Sequence, residues 1–266
     1  MQEYALRLCP RAGAINLVNY EACKISLLLS IHYNEMRDYK MPRTDQSLKE
    51  LVIEKTKRTG ILPCIKLHEK SDYLAYAQAM YDGGARVIEV TMTTPGALEA
   101  IEEISCHFGT ELLVAAGTVL DPVSAREVIM HGGSIIVTPC AIDDVIDMAN
   151  RYNIPVFSGA FTATEVFHVM RAGATMVKIF PGALGGAGYM TNLKMVFPDV
   201  NLIPSGGITP ENAADFIRCG ACAVSGARTF MNFEKIKDQG LVSITEQVQR
   251  FIRIIAEAKK DLPVLP

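Results

Sequence analysis

Gly83-Gly84-Ala85-Arg86-Val87-Ile88-Glu89-Val90 sets glycines and a small residue in front of a β-branched run. The arrangement returns in Gly132-Gly133-Ser134-Ile135-Ile136-Val137, in Gly173-Ala174-Thr175-Met176-Val177-Lys178-Ile179 and in Gly220-Ala221-Cys222-Ala223-Val224. The copies recur roughly every 40–50 residues, the length of about two strand–helix units of a barrel. Each follows a helix-like segment, such as Tyr73 to Tyr81 or Ala163 to Arg171. A glycine at that junction suits a left-handed helix C-cap, after which the apolar run enters a strand. Four more short apolar runs precede the copies in turn, at 61–65, 112–116, 154–157 and 201–204. Interleaving the two sets gives eight strands, each followed by a helical pattern. Continuous apolar strands alternating with helices imply a parallel sheet buried on both faces. Eight such units predict a (β/α)8 TIM barrel with an N-terminal extension. An open doubly wound sheet would want a glycine-rich dinucleotide turn after its first strand, and none follows Ile61-Leu62-Pro63-Cys64-Ile65.

The rest of the composition agrees. A chain of 266 residues fits one such barrel, which runs to roughly 250 residues. Hydrophobic residues are 49% and charged residues 21%, enough to bury a large core. The net charge of −3 and a pI near 6.0 supply no basic surplus, which argues against nucleic-acid or anionic-membrane partners. Seven cysteines, an odd number without a secretory signal, read as reduced thiols of a cytoplasmic protein. Cys219 and Cys222 form a lone C-x-x-C with no second pair, so packing thiols are the expectation there. The five histidines show no metal spacing, and no metal site is expected. The apolar run from Ile25 to Ile31 is too short to span a bilayer. Residues 1–40 share none of the later regularity, whereas Met41 opens a stretch that reads like an ordinary protein start. The expected division is an N-terminal extension over 1–47, with 1–40 an appendage or an over-called start, and a barrel domain over 48–266.

In barrels of this kind the chemistry sits at the C-terminal ends of the strands. Glu89 lies inside an apolar strand, where a carboxylate is costly unless paired or used. A structural ion pair is the alternative. Lys178 stands amid Met176, Val177, Ile179 and Phe180. Burying an amine disfavours its ammonium form, and a free amine can attack a carbonyl to form a Schiff base. The alternative is a lysine reaching to the barrel mouth to bind an anion. Thr118, after Ala116-Gly117, can receive a carboxylate, or cap a helix or form a turn. Gly206-Gly207 after the seventh strand and Gly226 after the eighth occupy the usual phosphate position of such barrels. Thr209 with Pro210 also reads as a helix start. Gly182-Ala183-Leu184-Gly185-Gly186-Ala187-Gly188 lacks the Gly-Lys-Ser/Thr end of a P-loop and is expected to be a mobile loop beside the reactive centre.

From about Leu48 to Lys260 the chain resembles the 2-keto-3-deoxy-6-phosphogluconate (KDPG) / 4-hydroxy-2-oxoglutarate (KHG) aldolase family. Ile88-Glu89-Val90-Thr91, Ala116-Gly117-Thr118-Val119-Leu120, Val177-Lys178-Ile179-Phe180-Pro181 and Ser205-Gly206-Gly207-Ile208 carry the likeness. The resemblance implies a class I aldolase that releases pyruvate from a 2-keto-3-deoxy (phospho)sugar acid or 4-hydroxy-2-oxoglutarate. It implies Lys178 as Schiff-base residue and Glu89 as acid/base. Thr118, Thr93 and Phe180 would contact substrate, and Gly206, Gly207 and Gly226 would hold phosphate. It also implies a homotrimer, with a small 2-keto acid as its partner. No organic cofactor is needed, since the lysine is the electron sink.

Three positions depart from the family pattern. Thr93 stands where many members have a carboxylate-binding Arg, Ala227 where the last loop usually has Ser, and Ser158 where Pro is common. Thr138-Pro139, Thr162-Ala163-Thr164-Glu165 and Thr209-Pro210-Glu211-Asn212 read more like the branch acting on 2-keto-3-deoxy-6-phosphogalactonate. Two other classes remain as alternatives. One is a non-covalent phosphate-binding isomerase or synthase, in which Lys178 is only a cation. The other is a non-catalytic keto-acid binding protein.

Overall fold

The computed structural model describes residues 47–262. The expected N-terminal extension over 1–47 therefore lies outside the described residues, apart from Ser47. The first helix, α1 (Leu48–Thr59), starts at a capping box: the Ser47 N–H donates to Glu50 Oε2 at 2.9 Å, and Glu50 N donates to Ser47 Oγ. It ends at Gly60 in the left-handed conformation.

Eight strands and nine further helices follow in alternation: β1 (Ile61–Ile65), α2 (Tyr73–Asp82), β2 (Val87–Thr91), α3 (Ala97–Phe108), β3 (Leu113–Gly117), α4 (Pro122–Met130), β4 (Ile135–Val137) and α5 (Asp143–Arg151). Then come β5 (Val156–Ala160), α6 (Ala163–Ala172), β6 (Met176–Ile179), α7 (Gly182–Val196), β7 (Leu202–Pro204), α8 (Pro210–Arg218), β8 (Val224–Gly226), α9 (Phe233–Gln239) and α10 (Val242–Lys260).

All strand pairs are parallel, in the order β7-β6-β5-β4-β3-β2-β1-β8. Bridges between Leu202 and Ala221 and between Ser205 and Ser225 join β7 to β8 and close the ring. The expected (β/α)8 barrel is the fold. Every strand is buried along its whole length, which is why the strands read as continuous apolar runs rather than alternating ones.

Two hydrophobic layers result. Outward-facing residues such as Ile88, Val114, Ile136 and Val177 pack under the helices. Inward-facing Leu62, Val87, Leu113, Ile135, Phe157 and Met176 fill the lumen, and Val52 of α1 joins them. Leu48, Leu51 and Ile53 of the same helix pack against that inner cluster.

Two local expectations are corrected. Of the four repeat glycines read as C-caps, only Gly173 caps its helix in the left-handed conformation, at φ 97°. The caps of α4 and α8 are His131 and Cys219, and the left-handed residue is the glycine just beyond, Gly132 or Gly220. At α2 the cap Gly83 is right-handed and Gly84 takes φ 104°. The turn into the strand needs the positive φ, not the cap itself. The segment 182–188, expected as a loop, belongs to α7, which is kinked at Gly186 (φ 69°, ψ 176°). Its first turn is anchored by Gly182 N and Ala183 N, which donate to the carbonyls of Ser205 and Gly206, and Gly186 itself leaves helix geometry at the kink. Thr209 does open α8, its N–H donating to Asn212 Oδ1 at 2.9 Å.

Candidate active site

Lys178 and Glu89 meet inside the barrel. Lys178 Nζ lies 3.5 Å from Glu89 Oε2, and both side chains are buried. The two residues come from β6 and β2, far apart in sequence, and the strand pleat turns both inward. Register explains the placement. Lys178 pairs with Ile203, and Glu89 with Ala115, both members of the lumen cluster. The strand alternation thus carries the pair from the packed interior to the barrel mouth.

Glu89 has room because its neighbour on β3 has no side chain. A Cβ on Gly117 would overlap Glu89 Oε1. On the other flank, β1 sets Cys64 in register with Glu89. Cys64 Sγ lies 3.4 Å from Ser225 Oγ. Burial pushes the Cys64 thiol well up, and the Glu89 carboxylate adds to the shift; Lys178 and the Ser225 hydrogen bond pull the other way. Cys64 therefore stays a neutral thiol in the working pH range. Neither Cys64 nor Ser225 stood out in the sequence. In a strand buried on both faces a cysteine is indistinguishable from a small hydrophobe, and Ser225 is overshadowed by the adjacent Gly226. Pairing register with Glu89 is the signal that identifies Cys64.

Thr118 follows β3 and takes φ 59°. A β-branched residue in that region carries strain of order 1–3 kcal/mol, as active-site residues often do. Its expected alternative as a helix cap does not hold: Asp121 caps α4, its side chain accepting from Ser124 N at 2.8 Å. Thr93 Oγ1 donates back to Thr91 Oγ1 at 3.2 Å, and Thr91 and Thr94 share a 3.0 Å hydrogen bond. The position where the resemblance anticipates an Arg is thus an uncharged hydroxyl cluster. Ser158 Oγ lies 3.3 Å from Thr138 Oγ1, which also accepts from Gly159 N.

Phe180, two residues beyond Lys178, is partly exposed, with its ring against Gly206. Gly206 (φ 85°) and Gly207 (φ 76°) form a left-handed pair that other residues rarely adopt. Their N–H groups have no acceptor among the described residues. A Cβ on Gly207 would overlap Ala183 of α7, and one on Gly226 would press on Thr229. Thr229 Oγ1 donates to the Ile208 carbonyl at 2.8 Å and ties the loop after β8 to the loop after β7. Gly206, Gly207 and Gly226 therefore belong to one cradle at the β7–β8 end of the mouth. Such exposed, unpaired N–H groups suit an anion.

The family model for KDPG and KHG aldolases matches residues 52–247. A 2-dehydro-3-deoxy-6-phosphogalactonate aldolase from Escherichia coli (strain K12) is 38% identical over 154 residues, covering 58% of this chain and 75% of that protein. A 2-dehydro-3-deoxy-phosphogluconate aldolase from Pseudomonas aeruginosa is 31% identical over 191 residues, covering 71% of this chain and 86% of its own length. Among solved structures, a KDPG aldolase from Legionella pneumophila with pyruvate captured as a covalent carbinolamine superposes with a TM-score of 0.69. It is 27% identical, and the match covers 77% of this chain and 98% of that one.

Proposed function

Because the chain belongs to the KDPG and KHG aldolase family and is a class I aldolase, a carbon–carbon lyase that releases pyruvate, we propose that Lys178 is its Schiff-base residue and Glu89 its general acid/base. The observation that carries the assignment is the buried pair itself, an amine 3.5 Å from a carboxylate inside the lumen.

Once the Lys178 ammonium has given up its proton, the amine attacks C2 of a 2-keto-3-deoxy acid to give a carbinolamine, which loses water to become an iminium. Glu89, directly or through one water, takes the proton of the C4 hydroxyl. The C3–C4 electrons then flow into the iminium, and the aldehyde leaves. The resulting enamine is protonated at C3, and water hydrolyses the imine to free pyruvate and the amine. Thr118 and the hydroxyls around Thr93 receive the substrate carboxylate, and Phe180, its ring against Gly206, lines the side towards the cradle. The cradle of Gly206, Gly207 and Gly226 receives the distal anion. The likeness to a phosphogalactonate aldolase favours a 2-keto-3-deoxy-6-phospho sugar acid as substrate.

Incubation with pyruvate, reduction by borohydride and peptide mapping test the assignment. The expected adduct sits on Lys178; active enzyme labelled elsewhere overturns it. The working form in this reading is a cytoplasmic homotrimer. Phe167, Met195 and Val196, large apolar side chains left exposed on α6 and α7, are consistent with self-association. Light scattering that finds a monomer would refute it. Among the described residues no helix is long and apolar enough to cross a membrane.

A further inference from the structure

A cavity of about 540 Å³ opens beside the cradle, lined by Gly207, Thr209, Arg228, Asn232, Lys235 and Gln247 among others. Its walls are held in place. Asn212 Nδ2 donates to the Gly207 carbonyl at 3.0 Å, and Gln247 Nε2 donates to the Thr229 carbonyl at 3.0 Å. Three cations face this space, but they are not equivalent. Arg250 is matched by Glu211 at 3.4 Å. The Arg228 guanidinium and the Lys235 ammonium have no ion pair or hydrogen bond among the described residues. Two positive charges without an ion pair therefore share this cavity with Gly207 of the cradle.

The charge count selects the ligand. A single carboxylate would balance one of these cations. A phosphate monoester carries about −1.5 to −2 charges near pH 7 and offers three acceptor oxygens. A guanidinium can grip it with two parallel donors while the ammonium acts as a point charge.

We propose that Arg228, supported by Lys235, is a specificity-determining residue that binds the phosphoryl group of a 2-keto-3-deoxy-6-phospho sugar acid. The proposal rests on the aldolase reading above and deepens it by assigning the preference for phosphorylated substrate to one side chain. Arg228 is exposed, so its contribution is screened by salt.

The test compares kcat/KM for pyruvate release from one six-carbon 2-keto-3-deoxy acid in its 6-phosphorylated and unphosphorylated forms. The expected ratio favours the phosphorylated acid in the wild type and falls about tenfold or more in Arg228→Met, mainly through KM. Arg228→Lys retains part of the preference, and Lys235→Met loses less of it. The wild-type KM for the phosphorylated acid rises with ionic strength, and the rise flattens in Arg228→Met. A merely structural role would lower both activities together and leave the ratio unchanged, which overturns the proposal. So does a wild type indifferent to phosphorylation. Release from neither acid by the wild type sinks the aldolase reading itself, and this proposal with it.

Discussion

The lower and upper halves of the barrel lumen are built from the same strands and differ completely in chemistry. On β1, Leu62 lies below and Cys64 above; on β2, Val87 below and Glu89 above; on β6, Met176 below and Lys178 above. Each pair is two residues apart and shares a face, a step of about 6–7 Å along the strand. The lower members belong to the inner cluster with Phe157 and Val52 and are essentially inaccessible. The upper members supply a thiol, a carboxylate and an ammonium. The hydrocarbon floor offers Glu89 and Lys178 no polar partner from below, so until a substrate enters they are satisfied by each other and, for Glu89, by the neighbouring Cys64 thiol. Stability thus concentrates at one end of the lumen and reactivity at the other, and substitutions should separate them.

The largest effect is expected at Lys178. Lys178→Met should abolish pyruvate release, since nothing else described in the lumen can form the imine. It should also leave the Glu89 carboxylate buried without its cation, which typically costs about 3–5 kcal/mol. The double variant Lys178→Met/Glu89→Gln should recover much of that loss, although it stays inactive. Urea unfolding of wild type, single and double variants reads the comparison. A single variant as stable as the double would show that the pair is not energetically coupled. Glu89→Gln alone should slow turnover by about 10²–10⁴-fold, the usual range for a lost general acid/base.

At the floor the sign of the contrast reverses. Phe157 is fully buried in the inner cluster. Phe157→Ala should cost about 3–5 kcal/mol, yet kcat per folded molecule should hold when measured below the unfolding transition. An equal fall in kcat and stability would mean that the two halves are not separable.

The sequence carried much of this division, for identifiable reasons. The repeat of glycine plus β-branched run exposed the barrel because every strand is buried on both faces and every helix must return to the sheet. Glu89 and Lys178 were legible because charge inside an apolar run has few explanations. Cys64 and Ser225 were not, because their chemistry depends on strand register, which local patterns do not encode. The segment 182–188 was misread for a related reason: the carbonyls of Ser205 and Gly206 that hold its first turn come from another strand's end. Arg228 stands two residues after Gly226 in the sequence, but its lack of a partner is a property of three dimensions.

A smaller effect tests how sharply the upper half is tuned. A Cβ at residue 117 would overlap the Glu89 carboxylate. Gly117→Ala should therefore turn the carboxylate away from Lys178 by about 1 Å and reduce kcat about 10²-fold. Pyruvate trapping on the lysine should persist, because the nucleophile itself is untouched. Loss of trapping together with turnover would place Glu89 upstream of imine formation rather than at bond cleavage.

The mildest prediction concerns thiols at opposite ends of the lumen. Cys64 sits beside Glu89 and is pushed up by burial and by that charge. Cys222, just before β8, is pushed up to about 11 by burial, although Lys57, Lys194 and Lys259 pull it down. In the unfolded chain both ionise near about 8.5. Above that pH the native state holds protons that the unfolded state has lost, so stability is full below about pH 8.5 and falls as pH rises. Each thiol contributes a slope of up to about 1.4 kcal/mol per pH unit. Lys55, Lys194 and Lys259, held low mainly by burial, act in the opposite sense, and their effect grows towards the ordinary lysine value of about 10.4. The useful window is therefore about pH 8 to 9.5, read as a difference between variants. Urea midpoints of Cys64→Ala and Cys222→Ala should each decline less steeply with pH than the wild type, and by similar amounts. Both native thiols are still protonated in that window, so the carboxylate at one end and the lysines at the other do not yet separate them. A wild-type slope unchanged by either substitution would mean that these sulfurs reach solvent and ionise in the folded protein.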